Sequence, residues 1–364
     1  MLQPEHCKAR QRRLLKLMTS EDVDAVVVGL PHHVYYFTGY RPFWLHESAF
    51  MLRADGESAL VCGKDPDARV AADTVRTYES NWLGTQRPDQ AALAAAGLDD
   101  LRESDVIGLD ASPVGSQVAI RYAHAKEFDE HLWALRRRKD PDELALMRKA
   151  IACTEAMYRR AREIIEPGVA VLTVFNELHT VAVNVAGEPL SPAYLGNDFA
   201  CGAPGGLPRA GHSAQAGELY ILDLGPAYRG YFSDNARTFS VDRKPTDAQI
   251  AAWKTVTDVF PIIERLAKPG VRCRDLFAAI DAHYRERTGS GFPHHLGHGV
   301  GLQPHEFPHL NPKWDETLME GEVFTCEPGM YAPELRAGMR IENQYLVTAS
   351  GVENLTPFPL TLKE

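Results

Sequence analysis

The segment HHLGHGVGLQPHE, residues 294–306, sets His294, His295, His298 and His305 around glycines 297, 299 and 301. Imidazole binds metals and carries protons near neutral pH. Glycine lets the backbone come close to whatever occupies a site. The pattern therefore points to chemistry rather than packing. Four acids strengthen it. Asp223 interrupts the apolar run YILDLG and Asp234 lies in YFSDNARTF, while Glu327 ends EVFTCE and Glu342 lies in RIENQYLVT. A carboxylate in a run that otherwise reads as a buried strand needs a partner or a metal.

The elements that carry these acids repeat. IIEPGVAVLTVFNELHTVAVNVAGE (164–188) and LAKPGVRCRDLFAAIDAHYRERTGS (266–290) align at an offset of 102, Pro167-Gly168-Val169 on Pro269-Gly270-Val271 and Gly187 on Gly289. In each copy a helix ends at the Pro-Gly pair and a second helix follows. The acids keep a similar offset: Glu327 follows Asp223 by 104 and Glu342 follows Asp234 by 108. The segment 218–241 reads as a β-hairpin turning at PAYRG. Each half thus delivers two carboxylates from strands, and a pseudo-twofold arrangement brings all four together.

Four adjacent carboxylates cannot all stay ionised without counter-charge, and two divalent cations supply it. Oxygen ligands with one imidazole suit Mn²⁺, Co²⁺ or Zn²⁺. Two such ions about 3.5–4 Å apart activate water and polarise a carbonyl, which is hydrolytic chemistry. His298 is the expected imidazole ligand. His305 is expected to donate a proton or a hydrogen bond to substrate, and His294 to line the substrate pocket. His295 is read as structural. A non-haem iron oxygenase, which needs two histidines and one carboxylate, fits poorly.

With 364 residues the chain is long for one domain and comfortable for two. Its 45% hydrophobic and 24% charged residues fit a globular protein, and the net charge of −10 argues against nucleic acid as a partner. No apolar run is long enough to span a membrane, and the first residues lack a signal peptide's apolar core. Six scattered cysteines without a CxxC pair suggest free thiols and a cytoplasmic location.

The first third alternates strand-like runs (25–29, 48–52, 58–62, 106–110) with helix-like stretches near 5–19, 66–73, 88–96 and 116–125, an α/β pattern. It holds neither GxGxxG nor a P-loop. The boundary falls at 136/137, dividing residues 1–136 from 137–364. The basic run RRRK (136–139) reads as a solvated linker. After it, Asp140, Pro141 and Glu143 form a helix start, with the helix reaching about Ile165.

On these residues the second part resembles the pita-bread metallopeptidases, the group of prolidase, aminopeptidase P, methionine aminopeptidase and the metal-free creatinase. The family pattern of Asp, Asp, His, Glu, Glu is filled in order by Asp223, Asp234, His298, Glu327 and Glu342, within DLG, SDNARTF, GHGVGLQPHE, EPGMY and RIEN. HHVYYFTGY (32–40) and LRRRKDPDELALMRKA (135–150) extend the resemblance to the prolidase and aminopeptidase P subgroup. The resemblance implies an α/β N-terminal domain and an α+β pita-bread catalytic domain with an internal pseudo-twofold repeat. It implies Asp234 and Glu342 as bridging ligands, Asp223 on one metal, and His298 with Glu327 on the other. Tyr331 and Arg340 match positions near the metals, and Arg340 is expected to orient Glu342. One departure stands out: the family's histidine 17 residues before the first metal aspartate falls on Gly206, and His212 is the candidate replacement.

The expected activity is hydrolysis of the Xaa-Pro bond of dipeptides with two ions, Mn²⁺ foremost and Co²⁺ or Zn²⁺ as alternatives, and with Glu327 taking the water's proton. Aminopeptidase P action on longer Xaa-Pro peptides is the alternative. A creatinase-like hydrolase is disfavoured by the intact ligand set, and so is a non-catalytic binding protein. The expected partners are a proline-containing dipeptide or short peptide and a second copy in a homodimer.

Overall fold

A computed structural model describes residues 1–42, 45–80, 87–191 and 196–362. Two compact units result, Met1–Arg136 and Arg137–Glu364. In the first, α1 (Pro4–Ser20), β1 (Ala25–Val28), α2 (Pro31–Thr38), β2 (Ala49–Arg53), β3 (Ser58–Cys62), β4 (Thr74–Thr77), α3 (Arg87–Ala96), β5 (Ile107–Leu109), α4 (Pro113–Arg121), β6 (Ala125–Glu127) and α5 (Asp129–Arg136) follow in order. The strands form one mixed sheet, β4-β3-β2-β1-β5-β6. AVVV and SALVC are buried at every residue, as expected of strands covered on both faces.

The expected helix near 66–73 does not form. Its polar groups go to other elements: Ala71 N–H donates to Thr38 O at 2.8 Å, and the Asp73 carboxylate accepts from the Ser58 N–H at 3.0 Å and its hydroxyl at 2.6 Å. Conversely, α2 was not anticipated. Pro31 starts it and Gly39, at φ 76°, ends it in the left-handed region.

The second unit opens with α6 (Pro141–Ile164) and α7 (Val171–Ala186). Glu143 Oε2 accepts from Asp140 N–H at 2.9 Å, closing the start of α6. Then come β7 (Gly196–Cys201), β8 (Leu219–Leu224), β9 (Ala227–Tyr228), β10 (Tyr231–Phe232) and β11 (Asn235–Ser240). The turn between β9 and β10 uses Arg229 (φ 49°) and Gly230 (φ 87°), the two positive dihedrals of a type I′ hairpin. After α8 (Asp247–Thr257), α9 (Val259–Leu266) and α10 (Cys273–Thr288) come β12 (Gly297–Gly299), β13 (Glu306–Leu310), β14 (Val323–Cys326), β15 (Gly329–Ala332), β16 (Ala337–Arg340), β17 (Asn343–Val347) and β18 (Val352–Asn354).

The repeat is physical. α7 and α10 both have 16 residues, start 102 positions apart and end on left-handed glycines, Gly187 and Gly289. Ahead of them Gly168 N–H donates to Ala214 O at 2.8 Å and Gly270 N–H to Leu318 O at 2.9 Å. The sheets β11-β8-β7 and β13-β12-β14-β17-β18 belong to successive halves. Glu342 N–H joins them by donating to Ala236 O at 2.9 Å.

The basic run is not a solvated linker. Lys139 is buried and pairs with buried Glu306 at 3.3 Å. Arg137 meets Glu322 at 2.5 Å, and Arg138 bridges backbone to backbone with Glu322. Arg136 is buried with its guanidinium over the Trp133 ring. Buried acids drew Arg137 and Lys139 inward while Arg138 stays exposed, and a count of charges along the chain does not reveal that.

Candidate active site

Asp223 points from β8, whose partner across β11 is Ala236. Asp234 sits one residue before β11 and Glu342 one residue before β17, while Glu327 follows β14 directly and His298 is the centre of β12. Asp234 and Glu342 are each followed by the asparagine that opens a strand, so the two halves present them alike. All five residues are buried. Glycine is required where β12 threads this layer: a side chain at Gly297 would overlap Thr325 O, and one at Gly299 would overlap Phe307 O.

The five residues converge. His298 Nε2 lies 3.5 Å from Glu327 Oε1 and 3.7 Å from Asp234 Oδ2. His298, Glu327 and Glu342 bring donor atoms within 4.8 Å of one another, as do Asp234, His298 and His305. The Asp223 and Asp234 carboxyls lie close enough to act on each other's charge. His298 Nδ1 lies 3.0 Å from Gly299 O. A proton donated there leaves the Nε2 lone pair facing the acids.

Burial, and after it the neighbouring Glu342 charge, pushes the Asp223, Asp234 and Glu327 carboxyls well above their usual range. Burial also raises Glu342, to about 7, against the opposing pull of Arg340. Burial, with His305 alongside, holds His298 well below the ordinary histidine value. Asp223 Oδ1, both Asp234 carboxylate oxygens, Glu327 Oε1 and Glu342 Oε2 are buried without a hydrogen-bond donor. Orphaned acceptors of this number are costly. Divalent cations fit them, supplying charge to the acids and a Lewis acid to the imidazole.

Around this centre, His305 is exposed, and its ring stacks on His298 at 3.6 Å between centroids. His294 stands at the margin, Nε2 3.2 Å from the Tyr331 hydroxyl. Arg340 donates to Asp223 Oδ2 from Nε at 3.2 Å and from Nη2 at 2.7 Å, and from Nη1 to Tyr331 Oη at 3.1 Å. Arg340 therefore fixes Asp223 by hydrogen bonds, not Glu342 as expected. The reason is that β16 stops at Arg340 and β17 starts at Asn343, so strand alternation does not run through to Glu342.

His212 is not at this centre. It groups with Cys201 and Glu218, where Cys201 pairs with Tyr220. That position is three residues along β8 from Asp223, about 10 Å at strand rise. Gly206 does lie near the site through its N–H, which donates to Asp198. Its φ of 117° suits glycine, and a side chain there would enter open space.

Two participants were missed. Asp198 lies opposite Asp223 across the sheet and pairs with Arg340. It sits in GNDFAC, an acid inside a strand as Asp223 is. His295 was read as structural, yet its Nε2 lies 3.5 Å from Glu327 Oε1. Membership of the four-histidine run was the available signal.

This architecture is that of the pita-bread metallopeptidases. The family description "Metallopeptidase family M24" matches residues 145–349 and "Creatinase/Prolidase N-terminal domain" matches residues 10–136; the chain belongs to family M24 and is a metallopeptidase. A Staphylococcus epidermidis protein named only as an uncharacterized peptidase is 30% identical over 357 residues, spanning 95% of this chain and 98% of its own. A Pyrococcus furiosus prolidase structure is similar at a TM-score of 0.79 and 25% identity, covering 95% of this chain and 99% of that one. A Thermotoga maritima X-Pro aminopeptidase shares the fold at a TM-score of 0.79 and 22% identity, covering 97% and 98%. Among the described residues no helix is long and apolar enough to cross a membrane, and all six cysteines are buried.

Proposed function

We propose that this chain hydrolyses the bond before proline in Xaa-Pro dipeptides, with Asp223, Asp234, His298, Glu327 and Glu342 holding two divalent ions, Mn²⁺ foremost and Co²⁺ or Zn²⁺ as alternatives. The observation that carries the proposal is the set of buried carboxylate oxygens without donors around His298 Nε2. The full-length likeness to a prolidase supports the substrate class. When bound, such ions lower the pKa of a water and polarise a carbonyl.

Glu327 accepts the water's proton and returns it to the proline nitrogen as the C–N bond breaks, so one water is added across the peptide bond. His305, exposed beside His298, donates a hydrogen bond to the carbonyl oxygen as it gains charge. His295 lies against Glu327 and fixes its carboxylate. Arg340, tied to Asp198 and Tyr331, holds Asp223 in one orientation, while burial and Glu327 keep the Tyr331 phenol protonated. An Xaa-Pro amide has no N–H. An ordinary dipeptide would bury a donor that this pocket need not satisfy, which favours proline. The active form we propose is a homodimer in the cytoplasm, and light scattering tests the dimer.

The deciding experiment offers Leu-Pro and a tripeptide with proline second to metal-stripped protein refilled with Mn²⁺. Cleavage of the dipeptide alone supports the proposal. Efficient cleavage of the tripeptide assigns the aminopeptidase P reading, which the similarity to the Thermotoga enzyme's fold keeps in view. Cleavage of neither, with metal bound, refutes both.

A further inference from the structure

The sulfur of Cys201, at the end of β7, faces the Glu218 carboxylate, with Sγ 3.4 Å from Oε2. His212 Nε2 lies 3.8 Å from the same oxygen. All three donor atoms fall within 4.8 Å of one another. His212 Nε2 is buried and has no hydrogen-bond partner. The three side chains come from a strand end, a loop and a turn, and the backbone holds each in place. Val171 N–H donates to His212 O at 3.1 Å, and the neighbouring Ser213 bridges Ala170. Gln215 N–H donates to Glu218 Oε2 at 2.9 Å. Gly202 leaves room beside Glu218, since a side chain there would overlap the carboxylate.

We propose that Cys201, His212 and Glu218 form a second, separate metal site, selective for a soft divalent ion such as Zn²⁺, with its fourth position left to a ligand from outside the protein. The spacing suits it. With Zn–S near 2.3 Å and Zn–N and Zn–O near 2.0–2.1 Å, tetrahedral geometry sets neighbouring donors about 3.3–3.6 Å apart. The 3.4 and 3.8 Å separations therefore need little adjustment. Three protein ligands and one open position is the pattern of an accessible zinc site rather than a closed structural one. The thiolate selects Zn²⁺ or Cd²⁺ over Mn²⁺. On binding, the ion takes the place of the thiol proton, which leaves to solvent.

This inference is independent of which peptide the protein cleaves, and its test reads binding alone. Cd²⁺ is titrated into the full chain while the ultraviolet thiolate-to-cadmium charge-transfer band is followed. None of the five ligands of the other centre is a sulfur, and Cys201→Ser identifies whether the band comes from Cys201 or from another thiol such as Cys326. The expected result is a saturable band in the wild type that is absent in Cys201→Ser. In His212→Ala, whose altered side chain is half-buried, Cd²⁺ affinity is expected to fall by more than the roughly 10–100-fold that loss of an outer-sphere partner costs. Zn²⁺ should compete with Cd²⁺ and Mn²⁺ should not. Circular dichroism verifies that both variants fold. A folded wild type without a band, a band that survives Cys201→Ser, or equal competition by Mn²⁺ overturns the proposal.

Discussion

Glu327 is asked to hold a metal and to move a proton, and both demands follow from its place. It is buried at the end of β14, with His298 and His295 each 3.5 Å from the same oxygen. Glu327→Gln keeps the shape and removes the basicity. Its kcat on Leu-Pro should fall by roughly 10²–10⁴-fold, measured at saturating Mn²⁺ alongside metal analysis. Full activity with metal bound would remove Glu327 as the base. Arg340 acts at one remove. Arg340→Leu frees Asp223 and Asp198 from their shared cation, and metal affinity should drop by about 10–100-fold in calorimetric titration. An unchanged affinity would mean that Asp223 is held by its strand alone. At this scale the sequence was most informative where a side chain is out of character with its run. Asp223 in YILDLG is such a case, and Asp198 in GNDFAC passed unnoticed for lack of a neighbouring motif. His212 misled because proximity in sequence to Gly206 is not proximity in space once β7 and β8 pair.

Elements set the next level. The strap 137–139 lies along Glu322 and reaches Glu306, beside His305, through Lys139. Lys139→Met removes the cation paired with the buried Glu306 carboxylate, leaving it the Gln303 N–H among its partners, and should cost about 3–5 kcal/mol in urea unfolding. The double variant Lys139→Met with Glu306→Gln should recover much of that loss, because the buried negative charge is gone. If the single variant loses under 1 kcal/mol, roughly the value of an exposed pair, the strap does not fix this loop. Helix boundaries were legible where caps are explicit: Asp140–Pro141–Glu143 starts α6, and Gly187 and Gly289 end α7 and α10. They were not legible where tertiary bonds decide. Residues 66–73 gave their polar groups to Thr38 and Ser58 instead of to a helix. The RRRK run likewise shows that charge pattern says nothing of the acids a fold will bring to meet it.

At the scale of the whole molecule, acid weakens the N-terminal unit without any metal being involved. In the N-terminal unit His33 is fully buried, Nδ1 3.1 Å from Asp110 Oδ2. Burial holds it below the ordinary histidine value, partly offset by Asp110, and burial with its neighbour His33 pushes His32 down to about 2. Both stay neutral in the fold while the unfolded chain accepts protons near pH 6.5. Stability is therefore whole above about pH 6.5 and drains as pH falls, at most about 1.4 kcal/mol per unit for each histidine. Calorimetry between about pH 7.5 and 5.5 should show a falling midpoint for that unit, with a smaller fall in His33→Asn. A midpoint that rises on acidification would contradict the argument. In the C-terminal unit, chelation should lower the midpoint and Mn²⁺ restore it, since the ions bind only the folded arrangement.

The equal lengths and common spacing of α7 and α10 also bear on ancestry. Two helices of 16 residues, 102 positions apart, each lead toward a strand opened by an asparagine that directly follows an acid, Asp234-Asn235 and Glu342-Asn343. A gene half this size, copied and joined end to end, would leave that imprint. Its single product would have met its twin as a separate chain and shared one centre between them. The modern chain should keep some memory of this. Split in the exposed link before α8 and co-expressed, residues 137–245 and 246–364 should find each other and rebuild a metal-binding pair.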